Sequence, residues 1–183
     1  MNEFADKVAL VTGGTSGFGE AIARGFAARG GTVLLSGRNT ERGEAVRQAI
    51  TGDGGAAGFL AGDVTDARFC SRLVEEASRR FGRLDVLVNC AGVVHIATAE
   101  ETTEDAWRQV MAVNVDAPFF LSRAAIPVFR RQGGGNIVNI ASELALVGQP
   151  GFAAYCASKG ALLQLTRAMA IDHAREGIRI NAL

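Results

Sequence analysis

The chain has 183 residues, 48% of them hydrophobic, and its 19 basic and 19 acidic side chains cancel to a formal net charge of zero. This length and apolar content suit one globular domain, residues 1–183, with a substantial core. A balanced charge offers no electrostatic attraction for nucleic acid or an anionic membrane, so we expect neither partner. No apolar run approaches the ~20 residues that cross a bilayer, and no leader pattern opens the chain, so we expect a cytoplasmic protein. Three scattered cysteines and two distant histidines predict no metal site.

Apolar runs alternate with segments of helical spacing along the whole chain. In chain order they predict a strand at 8–11, a helix at 19–29, a strand at 33–35, a helix at 41–50, a strand at 57–60, a helix at 66–81, a strand at 86–88, helices at 101–111 and 117–131, a strand at 137–140, a helix at 152–176 and a strand at 178–180. Buried strands separated by helices are typical of a parallel sheet covered on both faces. We therefore predict a doubly wound, Rossmann-like α/β fold of three layers.

A glycine-rich loop joins the first predicted strand to the first helix, where a doubly wound sheet binds a dinucleotide. Its glycines permit a tight turn and a close approach of the backbone to a pyrophosphate, and the helix N-terminus presents unpaired N–H groups. A glycine pattern alone also marks ordinary turns, but this position favours cofactor binding. The predicted contact residues are Gly13, Thr15, Ser16, Gly17, Phe18 and Gly19.

The second predicted strand ends in Ser36-Gly37-Arg38-Asn39, without a carboxylate. A carboxylate at this place holds the ribose hydroxyl of NAD, whereas an arginine accommodates the additional phosphate of NADP. The guanidinium of Arg38 is a planar, permanently charged phosphate partner. NADP is therefore the favoured cofactor and NAD the less favoured one. The alternative is an arginine in a solvated turn.

Tyr155, the only tyrosine, stands four residues before Lys159 and thirteen after Ser142. Residues four apart on a helix share a face, so the phenol and the ammonium can project into one cleft. A neighbouring positive charge favours the ionised phenol, which suits a general acid or base. Alone, this spacing also fits two surface residues on a helix.

These motifs, together with Asn89-Cys90-Ala91-Gly92, stand in the order found in the classical short-chain dehydrogenase/reductases, and the chain closely resembles that family from about Lys7 to Leu183. The resemblance implies that Tyr155 is the general acid or base and that Lys159 assists it and binds the nicotinamide ribose. It implies that Ser142 polarises the substrate oxygen and that Asn114 holds a water next to Lys159. The implied substrate is a small alcohol or ketone.

The resemblance also implies further cofactor contacts. Asp63 would meet the adenine amino group beside Val64, although an aspartate here could instead cap the following helix. The segment after the fourth strand would line the cofactor and steady the sheet through Asn89, Ala91 and Gly92. Cys90 departs from the family, in which a second asparagine is common at this position.

The stretch 143–151 connects Ser142 to the tyrosine helix and is expected to form one wall of the substrate site. Its side chains are mostly apolar. Glu143 and Gln149 are the polar exceptions, and each could either touch a substrate hydroxyl or face solvent.

Family members usually continue into a loop, a helical substrate lid and a further strand, so the resemblance implies that a last strand and the lid are absent from this sequence. The expected activity is NADP(H)-dependent interconversion of a secondary alcohol and a ketone, in a protein that is a homodimer or homotetramer when full length. The alternatives are a non-catalytic NADP(H)-binding sensor or assembly protein, and an inactive truncated remnant. The sequence does not identify the substrate or the reaction direction.

Overall fold

A computed structural model describes residues 2–183, and its centre is a six-stranded sheet in which all strands are parallel. The strands are β1 (Val8–Thr12), β2 (Thr32–Gly37), β3 (Ala56–Ala61), β4 (Val86–Asn89), β5 (Gly135–Asn139) and β6 (Ile178–Ala182). Their order across the sheet is β3-β2-β1-β4-β5-β6. The strand order reverses between β1 and β4, and a crevice therefore opens outside the carboxyl ends of these two strands.

Six α-helices cover the two faces of the sheet. They are α1 (Gly17–Ala27), α2 (Thr40–Gly52), α3 (Ala67–Phe81), α4 (Glu104–Met111), α5 (Ala117–Gln132) and α6 (Ala153–His173). The start of α4 lies later than the sequence predicts, because the Thr103 hydroxyl caps the helix by accepting from the backbone of Ala106. The carboxylate of Glu101, meanwhile, accepts from the hydroxyl of Thr98 at 2.7 Å.

The sheet separates two hydrophobic cores, because neighbouring residues of a strand point to opposite faces. Leu10 packs on one face with residues of α3, α5 and α6, such as Leu73 and Leu121. Val11, the next residue of β1, packs on the other face with α1 and α2, where Phe26 is its largest buried partner. The predicted three-layer, doubly wound α/β fold is confirmed.

Two short segments go beyond the predicted elements. A π-helix, Ala112–Asp116, connects α4 to α5, so the two predicted helices form one continuous rod. A 3₁₀ helix, Glu143–Ala145, follows β5. The π-helix carries Asn114, and Ser142 directly precedes the 3₁₀ helix. Such π-helical turns within α-helices are frequently found at functional sites. Among residues 2–183, none of the helices has the length and apolar content needed to cross a membrane.

Candidate active site

A cleft of about 790 Å³ opens at the carboxyl ends of the strands. Its wall comes from the glycine loop, the ends of β2 and β3, the segments after β4 and β5, and α6. The predicted residues that line it are Gly13, Thr15, Ser16, Gly17, Phe18, Gly19, Arg38, Asp63, Val64, Ala91, Gly92, Ser142, Tyr155 and Lys159. Two predicted residues, Asn89 and Asn114, do not line the cleft.

The glycine loop has a shape that only glycines permit. Gly13 and Gly17 have φ angles of +66° and +54°, in the left-handed region that other residues rarely adopt. A Cβ on Gly13 would lie 2.9 Å from the backbone nitrogen of Ala91, and one on Gly19 would overlap the carbonyl of Gly13. Helix α1 begins directly after Ser16, whose side chain does not cap it. The backbone can therefore approach a ligand phosphate at the helix N-terminus.

Arg38 lies at the turn after β2, where it is exposed and lines the cleft. Among residues 2–183 it forms no ion pair with an acidic side chain. Its neighbour Asn39 caps α2 by accepting from the backbone nitrogen of Arg42 at 2.8 Å. A Cβ on Gly37 would lie 2.6 Å from Thr15, so this turn packs against the glycine loop. The Arg38 guanidinium is thus an uncompensated cation beside the loop.

Asp63 follows β3 and does not cap the next helix. Its Oδ1 accepts from both the backbone nitrogen and the hydroxyl of Thr65, at 2.9 Å each. The cap of α3 is Asp66, which accepts from the backbone nitrogen of Arg68 at 2.8 Å. The capping alternative for Asp63 is therefore wrong. Asp63 lines the cleft beside the buried Val64.

Asn89 steadies the sheet from a buried position instead of facing the cleft. It is 2% exposed, and its Nδ2 donates to Oδ1 of Asn139 at 2.7 Å. The Nδ2 of Asn139 in turn donates to the hydroxyl of Thr166 in α6 at 2.8 Å. The chain of bonds ties β4, β5 and α6 together. The prediction that Asn89 contacts the cofactor directly is therefore corrected, because its side chain is buried and does not line the cleft. Its expected role in steadying the sheet agrees with these hydrogen bonds.

Thr12 was not among the predicted site residues, yet it anchors the segment after β4. Its hydroxyl oxygen accepts from the backbone nitrogens of Cys90 and Ala91, at 3.2 Å each. Thr12 itself is 1% exposed. The only signal in the sequence was a hydroxyl residue directly before the glycine loop. The bonds hold the floor of the cleft against the end of β1.

Tyr155 and Lys159 lie one turn apart on α6 and line the cleft together. The Lys159 ammonium nitrogen is 5.6 Å from the centroid of the Tyr155 ring and donates to the carbonyl of Ile140 at 2.7 Å. Lys159 is only 5% exposed. This burial lowers the pKa of Lys159 below its ordinary value, and the neighbouring Cys90 opposes the shift in part. The rings of Phe152 and Tyr155 pack in a T-shaped arrangement at the start of the helix, with their centroids 6.3 Å apart.

Ser142 lies in extended backbone directly before the short 3₁₀ helix that follows β5. Its hydroxyl oxygen accepts from the backbone nitrogen of Leu144 at 3.1 Å, and the hydroxyl donates to Oε2 of Glu143 at 3.1 Å. Glu143 lines the same cleft. Ser142, Tyr155 and Lys159 thus line the same cleft, on two separate segments.

Asn114 occupies the π-helix and is 1% exposed. Its Oδ1 accepts from the backbone nitrogen of Val93, and its Nδ2 donates to the carbonyl of Val93 and to the hydroxyl of Ser158. The hydroxyl of Ser158 donates to the carbonyl of Tyr155 at 2.8 Å. Asn114 is therefore a buried link between the loop after β4 and α6, and it does not line the cleft itself.

Asn114 and Lys159 nevertheless both approach Gly92. A Cβ placed on Gly92 would lie 3.5 Å from Oδ1 of Asn114 and 3.8 Å from the Lys159 ammonium nitrogen. Both Nδ2 protons are used by protein partners, but Oδ1 keeps a lone pair that can accept another hydrogen bond. Neither His95 nor His173 enters this arrangement, and residues 2–183 contain no cluster of side chains suited to a metal ion.

Comparisons with known proteins agree with this architecture. A family model described as short chain dehydrogenase matches residues 7–183. The chain is 44% identical over 180 residues to an uncharacterized oxidoreductase of Thermotoga maritima, which covers 98% of this chain and 71% of that protein. It is 42% identical over 184 residues to a 3beta-hydroxysteroid dehydrogenase of Mediterraneibacter gnavus, covering 100% of this chain and 66% of that protein.

A solved structure shows the same fold at similar identity. The structure is assigned as an NAD(P)-dependent gluconate 5-dehydrogenase from Beutenbergia cavernae, with NADP bound at low occupancy. It superposes with a TM-score of 0.92 and 41% sequence identity, over 99% of this chain and 72% of that one. The chain thus spans 66% to 72% of the length of these three proteins.

Proposed function

Because the chain belongs to the short chain dehydrogenase family, we propose that it is an oxidoreductase that interconverts a secondary alcohol and a ketone with NADP(H). The observation that carries the proposal is the shared cleft. Tyr155 and Lys159 line it together with the glycine loop, which has the form of a phosphate-binding turn. A proton-transfer pair and a dinucleotide site in one cavity suit hydride transfer coupled to proton transfer.

The residues present fit a dinucleotide. The glycine loop leaves room where side chains would fill it, and the start of α1 offers uncapped N–H groups to the pyrophosphate. Asp63 and Val64 would hold the adenine, while Ala91 and Gly92 would lie along the cofactor. When bound, the nicotinamide supplies the hydride acceptor for an alcohol or the hydride donor for a ketone.

The side chains at the end of β2 favour NADP over NAD as the cofactor. Arg38 is the cation that lines this part of the cleft, and it has no acidic partner to neutralise it. A guanidinium forms strong, charge-assisted hydrogen bonds with a phosphate. The residues Ser36 and Gly37 at the strand end provide no carboxylate for a ribose hydroxyl. The exposed hydroxyl of Ser16 offers a further donor.

The protein groups manage the proton. In alcohol oxidation Tyr155 takes the hydroxyl proton as the carbinol carbon gives up its hydride, and in ketone reduction it returns a proton to the oxygen. The Lys159 ammonium, 5.6 Å from the centroid of the Tyr155 ring, places a positive charge beside the proton-transfer group. Ser142 positions the substrate oxygen by hydrogen bonding. Asn114 is a positioning residue that holds α6 through Ser158, with Oδ1 available to a water beside Lys159.

Homo-oligomeric assembly forms part of the proposal. Trp107 of α4, Phe119 of α5 and Ile171 of α6 are 42%, 41% and 79% exposed, which is unusual for such large apolar side chains. Burial of these faces between copies of the chain would remove apolar surface from water. The oligomeric state is measured by light scattering over a range of protein concentrations.

Two measurements test the proposed activity. In the first, NADPH is titrated into the protein, and energy transfer from the fluorescence of Trp107 to the bound cofactor gives the dissociation constant. Oxidation of NADPH is then followed with a panel of ketones, on the protein as encoded, including any residues that follow Leu183. Tight binding with turnover supports the proposal. Tight binding without turnover of any ketone or alcohol indicates a non-catalytic binding protein instead.

A further inference from the structure

Glu143 is a carboxylate at the reactive end of the cleft. Among residues 2–183, four charged side chains line the cavity: Arg38, Asp63, Glu143 and Lys159. Asp63 follows β3 and Glu143 follows β5, four strand positions away, which corresponds to about 19 Å across a sheet with ~4.8 Å spacing. Glu143 adjoins Ser142 in sequence and in space. It is therefore the carboxylate that a substrate bound at Ser142 meets.

The hydroxyl of Ser142 is already committed. A serine hydroxyl has one proton and two lone pairs, and a carboxylate can only accept. The Ser142 hydroxyl donates its proton in a hydrogen bond to Oε2 of Glu143, and one of its lone pairs accepts from the backbone nitrogen of Leu144. The remaining lone pair can accept another hydrogen bond, but the single proton of the reacting alcohol goes to Tyr155. Before Ser142 can donate to a ketone oxygen, it has to release Glu143.

We infer that Glu143 is a specificity-determining residue that selects neutral substrates with a second hydroxyl on the carbon next to the reacting carbon, that is, vicinal diols and α-hydroxy ketones. The inference rests on the proposed function. The second hydroxyl donates to the Glu143 carboxylate and replaces the bond from Ser142. The Ser142 proton is then free for the reacting oxygen, so the carboxylate does not lose a hydrogen bond.

The spacing of the two acceptor atoms suits such a substrate. Ser142 Oγ and Glu143 Oε2 are 3.1 Å apart, a hydrogen-bonding distance. The two oxygens of a gauche vicinal diol also lie within hydrogen-bonding distance of each other, so one oxygen can take each position. A substrate with only one hydroxyl has no second donor for the Glu143 carboxylate, so only water can replace the bond from Ser142.

The same carboxylate disfavours anionic substrates. Glu143 forms no ion pair with a basic side chain among residues 2–183, so its charge is not neutralised by the protein. A hydroxy acid that placed its carboxylate beside Ser142 would meet a like charge. The Glu143 side chain therefore makes the site discriminate in favour of a neutral diol and against a charged hydroxy acid.

The test compares matched substrates in the protein as encoded. The values of kcat/KM are measured with NADP for cyclohexanol against its cis and trans vicinal diols, and for isopropanol against lactate. The variants are Glu143→Ala, Glu143→Gln and, as control, Glu75→Ala, which removes an exposed carboxylate of α3 outside the cleft. Ligand-observed NMR, with cofactor present, compares pinacol and tert-butanol, neither of which can be oxidised to a ketone.

Loss of one charge-assisted hydrogen bond lowers kcat/KM for the better vicinal diol about tenfold to a hundredfold in Glu143→Ala. Cyclohexanol loses no activity in Glu143→Ala, because it makes no bond to the carboxylate and Ser142 no longer has to release Glu143. Lactate improves in both Glu143 variants as the like charge disappears. Glu143→Gln retains part of the diol preference, since its amide oxygen still accepts. Pinacol binds better than tert-butanol to the unaltered protein and loses this advantage in Glu143→Ala.

Three results overturn the inference. These are equal use of diol and mono-alcohol by the unaltered protein, an equal loss for both substrates in Glu143→Ala, and equal binding of pinacol and tert-butanol. The failure of the proposed function looks different, because then no alcohol or ketone is turned over by any variant. The NMR comparison still decides the role of Glu143 in that case.

Discussion

The ammonium nitrogen of Lys159 lies 5.6 Å from the centroid of the Tyr155 ring while it donates to the carbonyl of Ile140 at 2.7 Å. One hydrogen bond thus fixes the lysine to the end of β5 and holds its charge beside the only phenol of the chain. The side chain is 5% exposed, so little water screens this charge. The pairing links the sheet, the helix and the proposed proton transfer.

Replacement of Lys159 by methionine tests the cost of this burial. Burial lowers the pKa of Lys159 in the folded protein below its ordinary value of 10.5. Between the folded and the unfolded pKa, the unfolded chain binds more protons, so the lysine's contribution to stability rises with pH. The free energy of unfolding of the unaltered protein minus that of Lys159→Met should therefore be flat below the folded pKa and then increase up to about pH 10.5.

Urea unfolding of both proteins at several pH values measures this difference. The control is the other lysine, Lys7, whose side chain is 49% exposed and pairs with Asp85 at 3.6 Å. Lys7→Met thus controls for the loss of a lysine side chain at an exposed position. A flat or falling Lys159 difference across the same interval would mean that the ammonium is not buried as described.

Replacement of Arg38 by glutamine tests the cofactor preference. Loss of charge-assisted hydrogen bonds to a phosphate should weaken NADPH binding about tenfold to a hundredfold and leave NADH within about twofold. Dissociation constants from fluorescence titration give both values. Arg42→Gln is the matched control, because Arg42 lies on α2 near this turn but does not line the cleft. Equal losses for the two cofactors in Arg38→Gln contradict the NADP assignment.

Replacement of Thr12 by valine tests the anchor beneath the cleft. Valine keeps the shape of the side chain but leaves the backbone nitrogens of Cys90 and Ala91 without their acceptor. The free energy of unfolding should fall by about 1–3 kcal/mol, the usual cost of an unsatisfied buried donor. Thr12→Ser retains the hydroxyl and should therefore keep most of the free energy of unfolding of the unaltered protein. If serine and valine destabilise the protein equally in urea, the hydroxyl is not the anchor.

The strands and helices could be predicted in their order along the chain, because apolar periodicity is a local property of the sequence. The observed Val8–Thr12 and Ala67–Phe81 each differ from the predicted range by one residue at one end. The sequence did not reveal bonds between distant parts of the chain. The Thr12 hydroxyl meets a nitrogen 79 residues away, and Asn89 meets Asn139, 50 residues on. Such pairs depend on strand order and register, which no local pattern contains.

The same limit applies to Asn114. The family resemblance implies that Asn114 holds a water next to Lys159, and in the structure Oδ1 of Asn114 and the Lys159 ammonium nitrogen both lie within 4 Å of the position that a Cβ on Gly92 would take. The π-helical turn, however, buries the amide against Val93 and Ser158, 21 and 44 residues away in sequence. The sequence pattern predicts two separate helices, whereas α4 and α5 are continuous through the π-helix. The π-helical turn determines where the Asn114 side chain lies.

The Tyr155→Phe variant tests the central claim, proton transfer by Tyr155 beside a bound nicotinamide, most directly. The change removes one oxygen and keeps the ring that packs against Phe152. Because general acid–base catalysis contributes about a hundredfold to ten-thousandfold, kcat for the best ketone should fall at least about a hundredfold. The dissociation constant for NADPH should stay within about twofold. Near-normal turnover by Tyr155→Phe would contradict the account.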